Sequence, residues 1–305
     1  MTGLYDCVVV GAGPAGLSAA LLLGRCCRST LVVDSGEPRN RCTAAVHGFL
    51  SRDNIAPLEL LRIGREQLAP YTTVSIRQGE VTAVDPIDGE YEVRLASGER
   101  YRCRKLLIAT GVVDELPELP GIGDLYGHSI HHCPYCDGWE HRDQPIAVYG
   151  RGTAGRGLTL ELTVWSRDLV LCTDGPSGFD DEDRALFARL GIVLREERVL
   201  RVEGQGGQLE QIVFAEGAPL PRKALFFCTS HRQHSDLAGA LGCDFNDKGA
   251  VLVGDYEATN VPGVYVAGDA SVHAQLVAIA AAEGARAAFA INTALLKESL
   301  ATVPA

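Results

Sequence analysis

Positive charge is scarce in this chain. Its 28 lysines and arginines face 39 aspartates and glutamates, a formal net charge of −11. That argues against a nucleic-acid partner, because such binders need a basic footprint to displace phosphate counterions. Long apolar runs are missing too. The N-terminal run from Cys7 to Leu23 is interrupted by Gly11, Gly13, Pro14 and Gly16 and has no basic leader, so it is not read as a signal peptide. The alanine-rich stretch from about Ala274 to Leu296 carries Glu283 and Arg286, so it is read as an amphipathic or buried helix and not as a membrane span. A cytoplasmic location with no membrane partner is the expectation. Ten cysteines are present, yet only Cys133 and Cys136 are spaced C-x-x-C. Cys7, Cys103, Cys172 and Cys228 fall in predicted strands, and Cys26 and Cys27 at a helix end. This is the pattern of buried free thiols in a reducing compartment, not of a disulfide framework.

What is present fits 305 residues folded as two domains, each large enough to bury a core. Leu4 to Val10 reads as a strand that enters Gly11-Ala12-Gly13-Pro14-Ala15-Gly16. A helix follows to about Arg25, and a second strand, Thr30 to Val33, ends at Asp34. This is a G-x-G-x-x-G turn in the setting that gives it meaning. Glycines permit the tight turn and the approach of a pyrophosphate, the helix N-terminus attracts its charge, and a carboxylate at the end of the next strand suits ribose hydroxyls. After a polar loop (Glu37 to Arg41) and a predicted helix (Ile55 to Leu68), strands over 74–84, 91–95 and 100–108 read as a meander ending at Ala109-Thr110-Gly111. Prolines and glycines between Leu116 and Gly121 mark a linker.

The plan then starts again. Ile146 to Tyr149 is a predicted strand, Gly150-Arg151-Gly152-Thr153-Ala154-Gly155 a second G-x-G-x-x-G, and Leu158 to Trp165 its helix. The next strand runs from Leu169 to Cys172. A helix follows over 181–190, and then a second meander (198–202, 209–214 and 224–228). The two halves read as an internal duplication of a nucleotide-binding unit, at a period too long for a solenoid. The last part holds a strand, Val264 to Ala267, then Gly268-Asp269 and the alanine-rich helix.

Between the copies lies His131-His132-Cys133-Pro134-Tyr135-Cys136-Asp137-Gly138. A redox pair, a zinc site completed by a histidine, and an inert structural pair are all compatible with it. No second C-x-x-C is available to finish a four-cysteine zinc site, and no metal is expected. Asp137 could begin the turn before Gly138 or manage a thiol proton. His131 and His132 have ordinary loop roles as alternatives to tuning a thiolate.

In order and spacing these pieces resemble the low-molecular-weight thioredoxin reductases and their dithiol oxidase relatives over nearly the whole chain. The resemblance implies an α/β fold of two Rossmann-like, three-layer ββα nucleotide-binding domains, the second inserted in the first. It places an FAD domain over 1–113 and 246–305 and an NAD(P)H-binding-like domain carrying the C-x-x-C over 114–245. FAD would be held by Gly11, Gly13, Ala15, Gly16, Asp34, Thr110, Gly111, Gly268, Asp269, Gln275 and Leu276, with Asn40 and Arg41 from the polar loop. Cys136 would meet the flavin, Cys133 would exchange with substrate, Asp137 would act as acid or base, and His132 or its neighbour His131 would tune the thiolates. The implied partners are a thioredoxin-like protein or a small dithiol or disulfide, and the implied assembly is a homodimer.

One departure is plain. The reductases carry a His-Arg-Arg cluster after the second strand of the inserted domain, to receive the 2′-phosphate of NADPH. This chain has Cys172-Thr173-Asp174-Gly175 and then Asp180-Asp181-Glu182-Asp183. An aspartate there repels a 2′-phosphate and suits NADH better. Arg151 and Arg156 could meet a pyrophosphate or be solvated surface charges. The electron partner therefore stays open among NADPH, NADH, a carrier such as ferredoxin, and oxygen. Tyr135 within C-P-Y-C resembles the dithiol oxidases, and a non-enzymatic redox sensor is the alternative from another class.

Overall fold

Four consecutive buried residues, Cys7 to Val10, show why the first strand does not alternate: a central parallel strand is covered on both faces. The computed structural model describes residues 3–271 and 274–302. The chain runs through β1 (Tyr5–Val10), α1 (Pro14–Arg25), β2 (Thr30–Asp34), α2 (Pro57–Glu66), β3 (Val74–Gln78), β4 (Val81–Ile87), β5 (Glu90–Leu95) and β6 (Arg100–Ile108). Parallel pairing gives the order β3-β2-β1-β6, and β6 continues through β5 to β4 in antiparallel register. The long β6 does double duty. Its first residues pair with β5, and Leu106 to Ile108 pair with β17 (Val264–Val266), which returns late in the chain.

Next come β7 (Val112–Glu115), α3 (Ile122–Leu125), β8 (Ile130–His131), α4 (Pro134–Asp137), β9 (Ile146–Tyr149), α5 (Gly152–Leu162), β10 (Leu169–Cys172), α6 (Asp181–Leu190) and β11 (Val193–Arg195). They are followed by β12 (Val199–Gln205), β13 (Gln208–Phe214), β14 (Leu220–Pro221), β15 (Ala224–Phe227), β16 (Ser230–Gln233), α7 (Leu237–Ala240) and α8 (Val277–Ala301). The chain divides into two compact units. One comprises the residues up to Arg41, Gly48–Val113 and His231 onward; the other comprises Cys42–His47 and Asp114–Ser230. The crossover strands β7 and β16 pair with each other.

The second crossing thus falls at 230/231 and not at 245/246. The reason is packing: Leu237, Ala238 and Cys243 are buried in one apolar cluster with Val8, Val93 and Val251, so α7 belongs to the first unit. Nor is the second meander a copy of the first. Ala224–Phe227 joins the parallel sheet β11-β10-β9-β15-β8, as β6 joins that of the first unit. But β12, β13 and β14 form a separate antiparallel sheet, whereas β5 and β4 continue the sheet from β6. The four residues of Ala224–Phe227 are all buried, which a half-exposed meander strand would not be.

Two backbone approaches set the first unit. A Cβ at Gly16 would lie 1.9 Å from the Gly11 carbonyl oxygen, and one at Gly284 would lie 1.9 Å from that of Ala15. Helix α1 is therefore held by the turn on one side and α8 on the other. Cys7, Cys103, Cys172 and Cys243 are buried free thiols, and burial pushes Cys103 and Cys172 up to about 12. Cys27 departs from the expectation: it is exposed, because it closes α1 in a left-handed turn at φ 57°. No helix among the described residues is long and apolar enough to cross a membrane.

Glu257 is 2 % exposed, and its Oε2 has no hydrogen-bond partner, while Arg286 lies 3.3 Å from Oε1. Burial raises its carboxyl to about 7, against the pull of Arg286. A raised carboxyl favours the protonated folded state, so stability falls as pH rises from the ordinary carboxylate range through about 7. Glu257→Gln should therefore stabilise the protein by about 1–2 kcal/mol more at pH 8 than at pH 5, as read from urea unfolding at the two pH values.

Candidate active site

The first glycine turn is built to leave its outer face bare. Gly11 adopts φ +104°, where an L side chain is strained, and a Cβ there would also meet the Ala109 carbonyl oxygen at 2.4 Å. Gly13, at the N-cap of α1, has nothing within 4 Å of its Cβ direction. Side chains are excluded from within the turn, and open space faces the helix N-terminus, as a pyrophosphate requires. Asp34 is fixed beside it: one carboxylate oxygen accepts from the Ala12 N–H at 2.9 Å and the other pairs with Arg65 at 2.5 Å. Arg65 also lines a cleft of about 450 Å³ with Gly36, Pro38, Leu61, Arg62 and Glu66.

The remaining groups of this unit converge through Arg39. Its guanidinium donates to Asp269 at 2.8 Å and to Gln275 at 2.7 Å, tying the loop after β2 to the Gly268–Asp269 turn and the entry to α8. The residue that reaches this turn is Arg39, next to the Asn40 and Arg41 singled out from sequence; Arg41 bonds back to the Pro38 carbonyl. Buried Glu283 accepts the Gly268 N–H at 2.8 Å, and burial raises its carboxyl. Gly268 itself presses within 3.0 Å of the Ala15 side chain at its Cβ direction. Leu276 caps the start of α8. Gly111 takes φ +68°, and the Thr110 carbonyl faces the His234 ring at 3.2 Å. The Thr110 hydroxyl is buried without a partner. A bare turn at a helix N-terminus, a fixed carboxylate and an orphaned hydroxyl together fit FAD. Arg39, Arg65 and Glu283 escaped the sequence reading of the site. Only Glu283 had a signal there, as a charge inside an apolar helix.

In the other unit Cys133 and Cys136 are joined as a disulfide, with Cα atoms 5.3 Å apart. Pro134 starts α4 and Cys133 is its N-cap, so the Cys133 sulfur accepts the Cys136 N–H at 3.2 Å. Both sulfurs are bonded to each other. Among the described residues no group of three or more His, Cys, Asp or Glu side chains could hold a metal ion. Gly138 leaves no room for a side chain, since its Cβ would meet the Trp165 ring at 2.8 Å, and Tyr135 stands edge-on to the same ring.

Two histidines flank the pair and face different ways. His132 Nδ1 lies 3.0 Å from the Tyr126 hydroxyl, which also donates to Asp114. His131 Nδ1 lies 3.3 Å from Asp137, and its Nε2 faces both the His128 carbonyl at 3.1 Å and His141 Nε2 at 3.0 Å. His131, not His132, therefore joins Asp137. His141 was not legible as part of the site, because nothing in the spacing links it to the C-x-x-C.

The second glycine turn keeps the plan of the first, with a Cβ at Gly155 only 2.6 Å from the Gly150 backbone. Its charges are closed off. Arg151 folds over the turn onto the Thr173 carbonyl at 2.6 Å, the Asp174 carbonyl and the Asp174 carboxylate at 2.7 Å. Asp174 is further engaged by the Val199 N–H at 2.8 Å and the Tyr149 hydroxyl at 3.3 Å. Arg156 is paired with Asp183 at 2.5 Å. Both arginines offered as pyrophosphate ligands are held by aspartates.

Comparison with known proteins agrees with this anatomy. The sequence matches the family described as pyridine nucleotide-disulphide oxidoreductase over residues 5–284. Thioredoxin reductase tcpT of Claviceps purpurea is 31% identical over 279 residues, covering 88% of this chain and 87% of the relative. The crystal structure of an oxidoreductase from Agrobacterium tumefaciens superimposes with a TM-score of 0.91 at 32% identity, covering 97% of this chain and 99% of that one. The crystal structure of HlmI does so with a TM-score of 0.93 at 36% identity, covering 99% and 96%.

Arg39 gives the cradle a direct test. Arg39→Met removes two charge-assisted hydrogen bonds that hold Asp269 and Gln275, so flavin should dissociate at least about tenfold more readily, as measured by fluorescence of released flavin on dilution.

Proposed function

The chain belongs to the pyridine nucleotide-disulphide oxidoreductase family, as a thioredoxin reductase-like, FAD-dependent enzyme. From that premise we propose that it exchanges two electrons with a dithiol substrate through Cys133 and Cys136 and makes little use of NADPH. The disulfide at the start of α4, beside the Asp137–His131 pair, carries the first part of this reading. The closed Arg151–Asp174 turn supports the second.

In the exchange a substrate thiolate attacks the Cys133 sulfur. The Cys133–Cys136 bond breaks as a mixed disulfide forms, and Cys136 leaves as a thiolate. The second substrate thiolate then attacks the mixed disulfide, releasing oxidised substrate and leaving both cysteines reduced. Asp137 takes up and returns the thiol protons, and His131 stabilises the ionised forms. FAD, when bound, supplies the two-electron store that links the thiol pair to a terminal partner. Gly11, Gly13, Ala15, Gly16, Asp34, Thr110, Gly111, Gly268, Asp269, Gln275 and Leu276 form its site together with Arg39. With dioxygen as terminal oxidant the balance is dithiol plus oxygen giving disulfide plus hydrogen peroxide.

The names of the relatives favour a second reading, an NAD(P)H-dependent thioredoxin reductase acting on a thioredoxin-like protein. Anaerobic mixing of the oxidised holoenzyme with a small dithiol, NADH and NADPH in turn, followed by flavin absorbance, separates the two. The proposal predicts bleaching by the dithiol, recovery in air with peroxide release, and bleaching by NADPH at least about tenfold slower. Rapid bleaching by NADPH would overturn it. Cys136→Ser should retain flavin, abolish turnover and, when incubated with the disulfide form of the substrate, accumulate a mixed disulfide on Cys133 as that thiolate attacks the substrate disulfide and releases its second sulfur, visible as an added substrate mass.

A further inference from the structure

His141 is absent from every motif that led to the C-x-x-C, yet it makes a direct contact with the pair's acid–base partners. Its Nε2 lies 3.0 Å from His131 Nε2, and the far nitrogen of that ring lies 3.3 Å from Asp137. The proton positions follow from the acceptors. The His128 carbonyl, 3.1 Å from His131 Nε2, can only accept, so that nitrogen carries a hydrogen. Its other neighbour, His141 Nε2, must then present a lone pair, and His141 holds its own hydrogen on Nδ1. On the opposite side, His131 Nδ1 faces a carboxylate. The Asp137 carboxylate thus lies 3.3 Å from one ring nitrogen of His131 and His141 3.0 Å from the other.

We propose that Asp137, His131 and His141 form one proton relay serving the Cys133–Cys136 pair, with His141 as the positioning residue that accepts from His131 Nε2, holds that ring towards Asp137 and links it to solvent. The relay rests on the exchange chemistry proposed above, in which each reduction of the disulfide leaves two protons to be placed and each oxidation releases them. His131 is 4 % exposed and has no route of its own to water, whereas His141 is partly exposed.

The surroundings agree. Burial is the first cause that lowers His141, to about 4, and the neighbouring His131 adds to it, while Asp137 and Gln144 pull the other way. A neutral His141 that presents a lone pair on Nε2 is the arrangement that the hydrogen-bond pattern requires. Phe226 packs against both rings, with centroids 5.4 Å from His131 and 6.2 Å from His141. The other charged groups nearby are engaged elsewhere: Glu140 faces His47 at 3.7 Å, and Arg142 lies over the Trp139 ring at 4.1 Å.

The test reads the thiols and not turnover. Holoenzyme reduced under argon is pulsed with iodoacetamide across a pH series, and alkylation of Cys133 and Cys136 is followed by mass spectrometry. His141→Phe keeps the aromatic bulk but offers no lone pair to His131. It should raise the midpoint of alkylation by about one pH unit, because His131 loses the partner that holds its ring towards Asp137 beside the thiols. His141→Gln restores an acceptor and should return the midpoint towards wild type. A midpoint unchanged in His141→Phe overturns the relay, and so does an equal shift in both variants, which would mark a packing effect. Should His141→Phe fail to fold, His131→Gln takes its place: it removes the ring that joins His141 to Asp137, and an unshifted midpoint there overturns the relay equally. A shifted midpoint without bleaching by any dithiol would leave the relay standing and remove only the proposed substrate class.

Discussion

The close approach of backbone to backbone at α1 is the constraint on which the first unit depends. Gly16 lies over the Gly11 carbonyl and Gly284 over that of Ala15, so no side chain fits between α1 and either neighbour. Well-packed interiors do not yield by the distance that a methyl group would demand here. The consequence reaches the site. With α1 pinned, its N-terminus faces the end of β2, where Asp34 binds the turn itself, and the Gly268 turn presses on Ala15. The alanines of α8, among them buried Ala287 and Ala288, are the counterpart of that short helix-to-helix distance.

The two glycine turns share this geometry and differ in their charges. The first has a carboxylate fixed at its edge and an open face. In the second, Arg151 bridges from the turn to Asp174, while the carboxylate also meets Tyr149 and the Val199 N–H. An exposed arginine–aspartate pair adds little to stability, on the order of 1 kcal/mol or less. Its importance is positional. Opening the turn to a 2′-phosphate would require Arg151 to leave three acceptors, with Asp174 remaining as a negative charge at the entrance. In the proposed function, the second copy of the nucleotide-binding plan serves as a support for the thiols.

Much of this was legible in the sequence, because the strongest signals were local. Both glycine turns, Asp34, the C-x-x-C and the Gly268–Asp269 turn each depend on a few neighbouring residues, and their order implied the family and the fold. What escaped were interactions between distant segments. Arg39 reaches its partners across 230 and 236 positions, and no pattern around it distinguishes it from Asn40 or Arg41. His141 meets His131 because a short helix and a turn fold the chain back on itself, which spacing alone does not encode. The crossing at 230/231 was misplaced because α7 has only four residues and reveals its allegiance through burial rather than periodicity. Ala224–Phe227 likewise looked like a third meander strand until its pairing with β9 was seen.

The central claim of the proposed function is a thiol pair that takes its electrons from a dithiol and passes its protons through Asp137. Anaerobic titration of the holoenzyme with a small dithiol, counting free thiols and flavin absorbance together, tests that claim most directly. The account predicts that dithiol is consumed beyond the amount that bleaches the flavin, with the excess appearing as reduced Cys133 and Cys136. Flavin bleaching with the Cys133–Cys136 disulfide left intact would contradict it.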